Sequence, residues 1–331
     1  MSNDKKILYA SIGSNMRTAR FMAYISGGPV KGTHRIYKGC RDNTPPTNKV
    51  VLASHIHHVY FARSNDVWGE TPYSGIGNNH FGGLGTVGFK HLEEGFEFDG
   101  LRNVNVKTEL LSDIIQRKEM LSAGYPITIE QFCDVMSQEN DLGIGQIELA
   151  EELIYSLTLE NPLIDLRNRT GNNAIILPNG EKYEINIEGH YSGLLYLGDV
   201  DVDGETLRAI CFTSPFSYEM ALVQSYLGQP IFDIEDKETI KNNLAVLKVS
   251  LPEDLIEQHA DSDHFLNPAT TAYLTMIASG VEELGQGNSD WTRENSFEYL
   301  LSLAPFNLEQ FSKQTKLVRK TLGLKPKYKN N

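Results

Sequence analysis

Ile7 to Asn15, ILYASIGSN, constrains this chain more than any other stretch. Ile7, Leu8, Tyr9 and Ala10 form a short, mostly apolar run suited to a buried strand. Ser11-Ile12-Gly13-Ser14-Asn15 breaks that run with small and polar residues, and Met16 to Ile25 (MRTARFMAYI) reads as a helix. A strand that turns into a helix over Gly-Ser-Asn leaves several backbone N–H groups aimed at one spot. Such a nest holds a carboxylate or an oxyanion without a basic side chain. The same residues allow a plainer reading, in which Ser14 or Asn15 simply caps the helix.

The chain has 331 residues, enough for two domains or for one domain with large insertions. Hydrophobic residues make up 40% and charged residues 22%, so an ordinary globular core is within reach. Cys40, Cys133 and Cys211 stand far apart, which argues against a disulfide framework and against a CxxC metal site. The opening MSNDKKILYAS lacks the apolar core of a signal peptide, and no run approaches the length of a membrane span. A soluble, cytoplasmic protein is the expectation. The net charge is −13, yet residues 312–331 carry seven Lys/Arg and no acid, which leaves −20 on the rest. A body that acidic repels nucleic acid over most of its surface. The basic tail is left to touch nucleic acid, an anionic surface, the acidic body or only solvent.

Further along, Gly27-Gly28-Pro29 is a loop and His34 to Cys40 reads as a strand. Asp42 to Asn48 (DNTPPTN) is a turn-rich break, because Pro45 and Pro46 fit neither a helix interior nor a central strand. Val50–Ser54 and His57–Ala62 are rich in β-branched and aromatic residues and nearly adjacent, which predicts a hairpin. Glycines 75, 77, 82, 83, 85 and 88 make a loop with neither the Walker spacing nor a clear dinucleotide fingerprint. Thr108–Ala123 reads as a helix that Tyr125-Pro126 breaks. Thr128–Asn140 is a clear helix: Thr128 and Gln131 have capping-box spacing, and Ile129, Phe132, Val135 and Met136 form an apolar stripe. Glu139 falls at its C-terminal end. Another helix is expected over Ile147–Leu157. Pro178-Asn179-Gly180 marks a hairpin turn, and a second hairpin joins His190–Leu197 to Thr206–Thr213. Largely helical segments follow, including Pro268–Leu284 and Arg293–Leu303. This order predicts an α+β fold with mixed or antiparallel pairing rather than regular βαβ alternation.

Several of these segments, in this order, resemble the γ-glutamylcyclotransferase-like superfamily. They are YAS-x-GSNM (Tyr9 to Met16), the VWG stretch (Val67 to Gly69), the paired glycines Gly82 and Gly83, and an isolated acid at a helix end. The likeness is closest to a bacterial branch. Its marks here are Arg17 and Arg20 after the loop, the GGP turn, Gly39, Arg41 and Asp42, and the proline pair. T-x-EQF-x-DV-x-x-QE (Thr128 to Glu139), the Gly189–Pro215 hairpin and the helix Ala272–Glu283 complete the set. The resemblance covers most of residues 6–303, with insertions near 70–82, 90–122 and 216–266. It implies one domain over 1–311, a small mixed β-barrel flanked by helices, with a pocket at the barrel mouth; residues 312–331 form the basic tail.

In that family a γ-glutamyl amide becomes 5-oxoproline and a free amine. The substrate's own α-amine attacks its γ-carbonyl, so no protein nucleophile and no cofactor are implied. The chemistry asks for donors to a carboxylate and an oxyanion, and for one carboxylate that moves protons. The resemblance assigns proton transfer to Glu139, whose plainer reading is an exposed helix-end acid or a partner of Arg20 or Arg41. Binding of the anionic small molecule falls to Ser11, Ile12, Gly13, Ser14 and Asn15, with Arg20, Arg41, Tyr60, Trp68, Gly82 and Gly83 as further candidates. Ile12 departs from the family, which usually has Tyr there, so a hydroxyl is missing from the expected wall. A module that captures an anionic small molecule or a protein partner without turnover is the alternative.

His55, His57 and His58 cluster on one strand candidate, and His259, Asp261, Asp263 and His264 in one loop. Neither has the partners of a zinc or calcium motif, so no metal is expected. No Ser lies in a G-x-S-x-G elbow.

Overall fold

The ILYAS run forms β1 (Lys6–Ser11), buried at every residue after the first. The computed structural model describes residues 5–30, 35–62, 71–72, 80–81, 84–89, 100–215, 266, 269–303, 316 and 319–320. After β1 comes a 3-10 turn at Ser14–Met16, then α1 (Thr18–Ser26). Extended backbone at Arg17 divides what the sequence suggested was one helix. β2 (Gly28–Pro29) pairs with β3 (Ile36–Tyr37), a shorter strand than the expected His34–Cys40. β4 (Val50–Ser54) and β5 (His57–Ala62) follow, then the short β6 (Thr71–Pro72) and β7 (His80–Phe81), β8 (Leu84–Phe89) and β9 (Arg102–Asn103). Next are α2 (Leu111–Arg117), β10 (Met120–Thr128), α3 (Ile129–Glu139), α4 (Glu151–Ser156) and β11 (Leu163–Asp165). The hairpin β12 (Ile175–Ile176) and β13 (Lys182–Tyr183) turns at Gly180, whose φ of 84° suits glycine. β14 (Gly193–Val202), β15 (Glu205–Thr213), α5 (Thr271–Leu284) and α6 (Arg293–Leu303) complete the described elements.

The architecture is α+β. Seven strands build one curled half-barrel sheet in the order β11-β14-β15-β1-β10-β4-β9. β1 lies in its middle, antiparallel to β10 and parallel to β15; every other pair in the sheet is antiparallel. Both faces of β1 are covered. Ile7 and Tyr9 point into a core shared with α1, α3 and α5, whereas Leu8 and Ala10 point into a second core with Val59 of β5 and Val87 of β8. Burial on both faces explains why this strand reads as a continuous apolar run rather than an alternation.

Five expectations change. Thr108–Ala123 is not one helix: α2 ends at Lys118, whose left-handed φ of 54° turns the chain into β10. Met120 to Ala123 are buried there as a central strand, so their apolar run carried no helical message. Tyr125-Pro126 lies inside β10 rather than breaking a helix. The β4 ladder stops at Gly124↔Val50, so Pro126 sits where one side of β10 is already unpaired. β4 and β5 do not form a hairpin: β4 pairs with β10 and β9, and β5 with β8. Between them Ser54 Oγ stands 2.8 Å from His57 Nδ1, fixing the corner where the chain leaves the sheet. The helix expected over Ile147–Leu157 is reduced to Glu151–Ser156, because the amides of Ile147 and Leu149 donate to Ser137 Oγ and Cys133 Sγ on α3 instead of to a helical ladder. β10 also begins inside the 90–122 span that reads as an insertion.

The capping box holds. Thr128 Oγ1 accepts from the Gln131 amide and Gln131 Oε1 from the Thr128 amide, both at 3.1 Å. Phe132, Val135 and Met136 are fully buried, which fixes the roll of α3 and so the direction of its last residue, Glu139. No helix among the described residues is long and apolar enough to cross a membrane. Of the basic tail, Arg319 is seen paired with Glu298 of α6 at 2.6 Å.

Candidate active site

Neither Ser14 nor Asn15 caps α1. The capping position is Arg17, without a side-chain cap, and both polar side chains are spent on tertiary contacts. Ser14 Oγ accepts from Arg20 Nε at 2.6 Å. Asn15 Nδ2 donates to Glu139 Oε1 at 2.6 Å and lies 3.3 Å from the Tyr9 hydroxyl. Tyr125 of β10 donates to the carbonyls of Asn15 (3.0 Å) and Met16 (3.2 Å), anchoring the turn from below. Within the turn, Met16 N donates to Gly13 O and Arg17 N to Ser14 O. Among the described residues, the amides of Gly13, Ser14 and Asn15 donate to no backbone carbonyl. That leaves them without a backbone acceptor at the start of a turn whose Ser14 and Asn15 are buried.

These groups border a cavity of about 270 Å³. Tyr9 to Asn15 line it together with Arg20 and Glu139. Gly85, Asn140, the 188–191 segment, Phe212 and Tyr273 complete the lining, with Arg35 and Asp141. An aromatic layer braces Tyr9: it packs on Phe21 and Phe212, and Phe21 stacks on Tyr125 at 3.9 Å between ring centroids. Arg20 is buried. Its Nη2 reaches the hydroxyls of Tyr24 (3.1 Å) and Tyr37 (3.0 Å). Burial works against the Arg20 charge, but Tyr24, Tyr37 and Glu139 outweigh it and the guanidinium stays protonated.

Glu139 is partly exposed, to this cavity. Burial raises its pKa above the usual carboxylate range; the Arg20 charge and hydrogen bonds from Asn15 and Tyr24 offset that rise only in part. A carboxylate so placed takes up a proton more readily than a free one and still has donors that tolerate its charge. Burial likewise pushes the hydroxyls of Tyr9, Tyr191 and Tyr273 up, so all three remain neutral donors. Asn140, next to Glu139, ties the end of α3 to the 188–191 segment. Its Nδ2 donates to Met136 O (3.0 Å) and Tyr191 O (3.1 Å), and its Oδ1 accepts from Tyr191 N (3.2 Å). A Cβ on Gly189 would fall 1.8 Å from that Oδ1, so the clamp requires glycine there.

The structure thus brings together Ser11, Ile12, Gly13, Ser14, Asn15, Arg20 and Glu139. Two of the expected residues lie elsewhere. Arg41 is held by Asp134, through its backbone N–H at 2.8 Å and its guanidinium at 3.1 Å, and by Glu148 at 2.6 Å. The Asp134 side chain is fully buried on α3, so its charge demands that partner and draws Arg41 away from the cavity. Tyr60 is a core side chain on β5, opposite Thr86 of β8, and does not line the cavity. Trp68, Gly82, Gly83 and the His259–His264 loop lie outside the described residues. His57 is buried against Ser54, and among the described residues no three His, Cys, Asp or Glu side chains form a metal donor set.

Sequence reasoning missed Tyr9, Arg35, Gly85, Asn140 and Tyr273 as lining residues. Tyr9 opens the YAS-x-GSNM motif and Asn140 closes the Thr128–Asn140 helix, both without a site role attached. Tyr191 and Gly189 lie in the G-x-Y hairpin that the resemblance used, without a site role attached. Tyr273 lies in the helix Ala272–Glu283 that the resemblance also used, again without a site role attached.

No protein-family model matches this chain, and no solved structure matches it. Among curated proteins it is similar to histone deacetylase 5 of Arabidopsis thaliana, with 33% identity over 139 residues. That stretch is 42% of this chain, which spans 16% of the length of the deacetylase.

Proposed function

We propose that this cavity is the centre of a γ-glutamylcyclotransferase-like enzyme acting on a γ-glutamyl or related amide. The observation that carries the reading is the 2.6 Å contact between Asn15 and Glu139, which joins the GSN turn to the acid of α3 inside one cavity. The substrate's carboxylate sits against the turn amides. Its α-amine attacks the γ-carbonyl carbon, and Glu139, as carboxylate, takes the amine's proton. The carbonyl oxygen becomes anionic and is met by N–H donors already in place. When the bond from that carbon to the leaving nitrogen breaks, Glu139 returns the proton to the departing amine. The products are 5-oxoproline and the free amine, and the carboxylate is restored. No deacetylation step enters the proposal.

The test is 5-oxoproline release from a panel of γ-glutamyl amides, with wild type and Glu139→Gln. Loss of a general acid/base lowers the rate about 10²- to 10⁴-fold. Turnover by Glu139→Gln at the wild-type rate would end the assignment. Ile12 favours a second reading, capture of an anionic ligand without turnover, because it puts a buried apolar side chain on the wall. A ligand-induced rise in melting temperature with no product across the panel would select that reading.

A further inference from the structure

We infer that Tyr273 of α5 is a specificity-determining donor whose hydroxyl binds the carboxylate held on the Gly13–Asn15 turn. The inference rests on the anion-binding half of the proposed function and not on turnover.

Three elements distant in sequence converge to place this hydroxyl. α5 lies against the GSN turn because Gly280 permits it: a Cβ there would stand 2.8 Å from Arg17 N and 2.8 Å from Met16 Cβ. At the start of α5, Thr270 Oγ1 accepts from the Tyr273 amide at 3.1 Å and sets the first turn. The Tyr273 ring is buried, edge-on to Phe61 at 6.2 Å. Its hydroxyl then enters a gap between two glycines. A Cβ on Gly13 would come within 2.9 Å of it and a Cβ on Gly85 within 3.1 Å. Gly85 also orients two phenols: its N–H donates to Tyr273 Oη at 3.3 Å and its carbonyl accepts from the Tyr191 hydroxyl at 3.1 Å.

The Tyr273 hydroxyl therefore borders the cavity beside Gly13, the first residue of the turn, where a Cβ would force it to shift. Accepting from Gly85 polarises its own O–H toward donation. Ile12 brings no hydroxyl to this wall, and Tyr273 supplies one from the far side of the fold. A neutral phenol suits the task, since it adds a directed donor without adding charge beside Glu139.

The experiment is calorimetric titration of the full chain with 5-oxoproline, glutarate and L-glutamate, for wild type, Tyr273→Phe, Gly13→Ala and the double variant. Tyr273→Phe keeps the ring and is expected to weaken binding of the carboxylate that wild type binds best by about ten- to a hundredfold. Gly13→Ala pushes the hydroxyl aside and is expected to weaken it similarly. The double variant should be no worse than the weaker single one, because both remove the same contact. Unchanged binding by Tyr273→Phe overturns the inference, as do additive losses in the double variant. A wild-type chain that binds none of the three carboxylates overturns it too. Binding that depends on Tyr273 with no 5-oxoproline release would leave the inference standing and remove the cyclotransferase reading.

Discussion

Asn15 and Glu139 meet at 2.6 Å, the amide of a β1–α1 turn against the last residue of α3. The contact has two ends with different consequences. Asn15 favours the ionised form of Glu139 by donating to it, while burial favours the protonated form. The acid's proton affinity is set by that opposition together with the Arg20 charge.

Replacing Asn15 by alanine removes one stabiliser of the carboxylate and leaves the burial. The Glu139 pKa then rises further. The acid limb of the pH–rate profile for 5-oxoproline release is expected to move to higher pH, with a loss of about tenfold or more in kcat/KM below neutrality. An acid limb at the wild-type position would show that Asn15 does not act on Glu139.

The same displaced equilibrium affects stability. A carboxyl whose folded pKa lies above its unfolded value favours the fold in its neutral form. That contribution is fully present below the unfolded value, near 4.3 for Glu, and is lost as pH rises through the folded value. Wild-type melting temperature should therefore fall across that window relative to Glu139→Gln, which cannot ionise. Parallel plots of melting temperature for the two proteins between about pH 4 and about pH 8 would contradict the burial of this charge.

Arg41 offers the converse case. It serves Asp134 and not the cavity, so Arg41→Ala should cost stability and leave kcat/KM per folded molecule unchanged. Removing its hydrogen bonds from the buried carboxylate is expected to cost about 1.5–3 kcal/mol in urea unfolding. A selective loss of activity at unchanged stability would return Arg41 to the site.

Much of the fold could be read from local pattern. The β1 run, the Thr128 capping box, the stripe of α3 and the β14–β15 hairpin each follow from a period or a turn signal within a dozen residues. Central strand β10 could not be read this way. Buried on both faces, it shows no alternation, and its Leu and Met suit a helix equally well. The β4–β5 pair failed for a related reason: both strands suit a sheet, and only the partners available at the corner decide which sheet each one joins.

The opening turn shows where the division lies. The sequence by itself determined that an apolar strand run covers Ile7–Ala10, that small and polar residues from Ser11 break it, and that a helix follows; these are properties of neighbours along the chain. It left open whether Ser14 and Asn15 cap a helix or face a ligand. Tertiary structure decided that, by spending Ser14 on Arg20 and Asn15 on Glu139. It also decided that Tyr273 reaches the turn while Arg41 does not. The physical reason is that a side chain's partner depends on which buried charge or missing Cβ lies opposite it, and that is fixed only when distant segments pack.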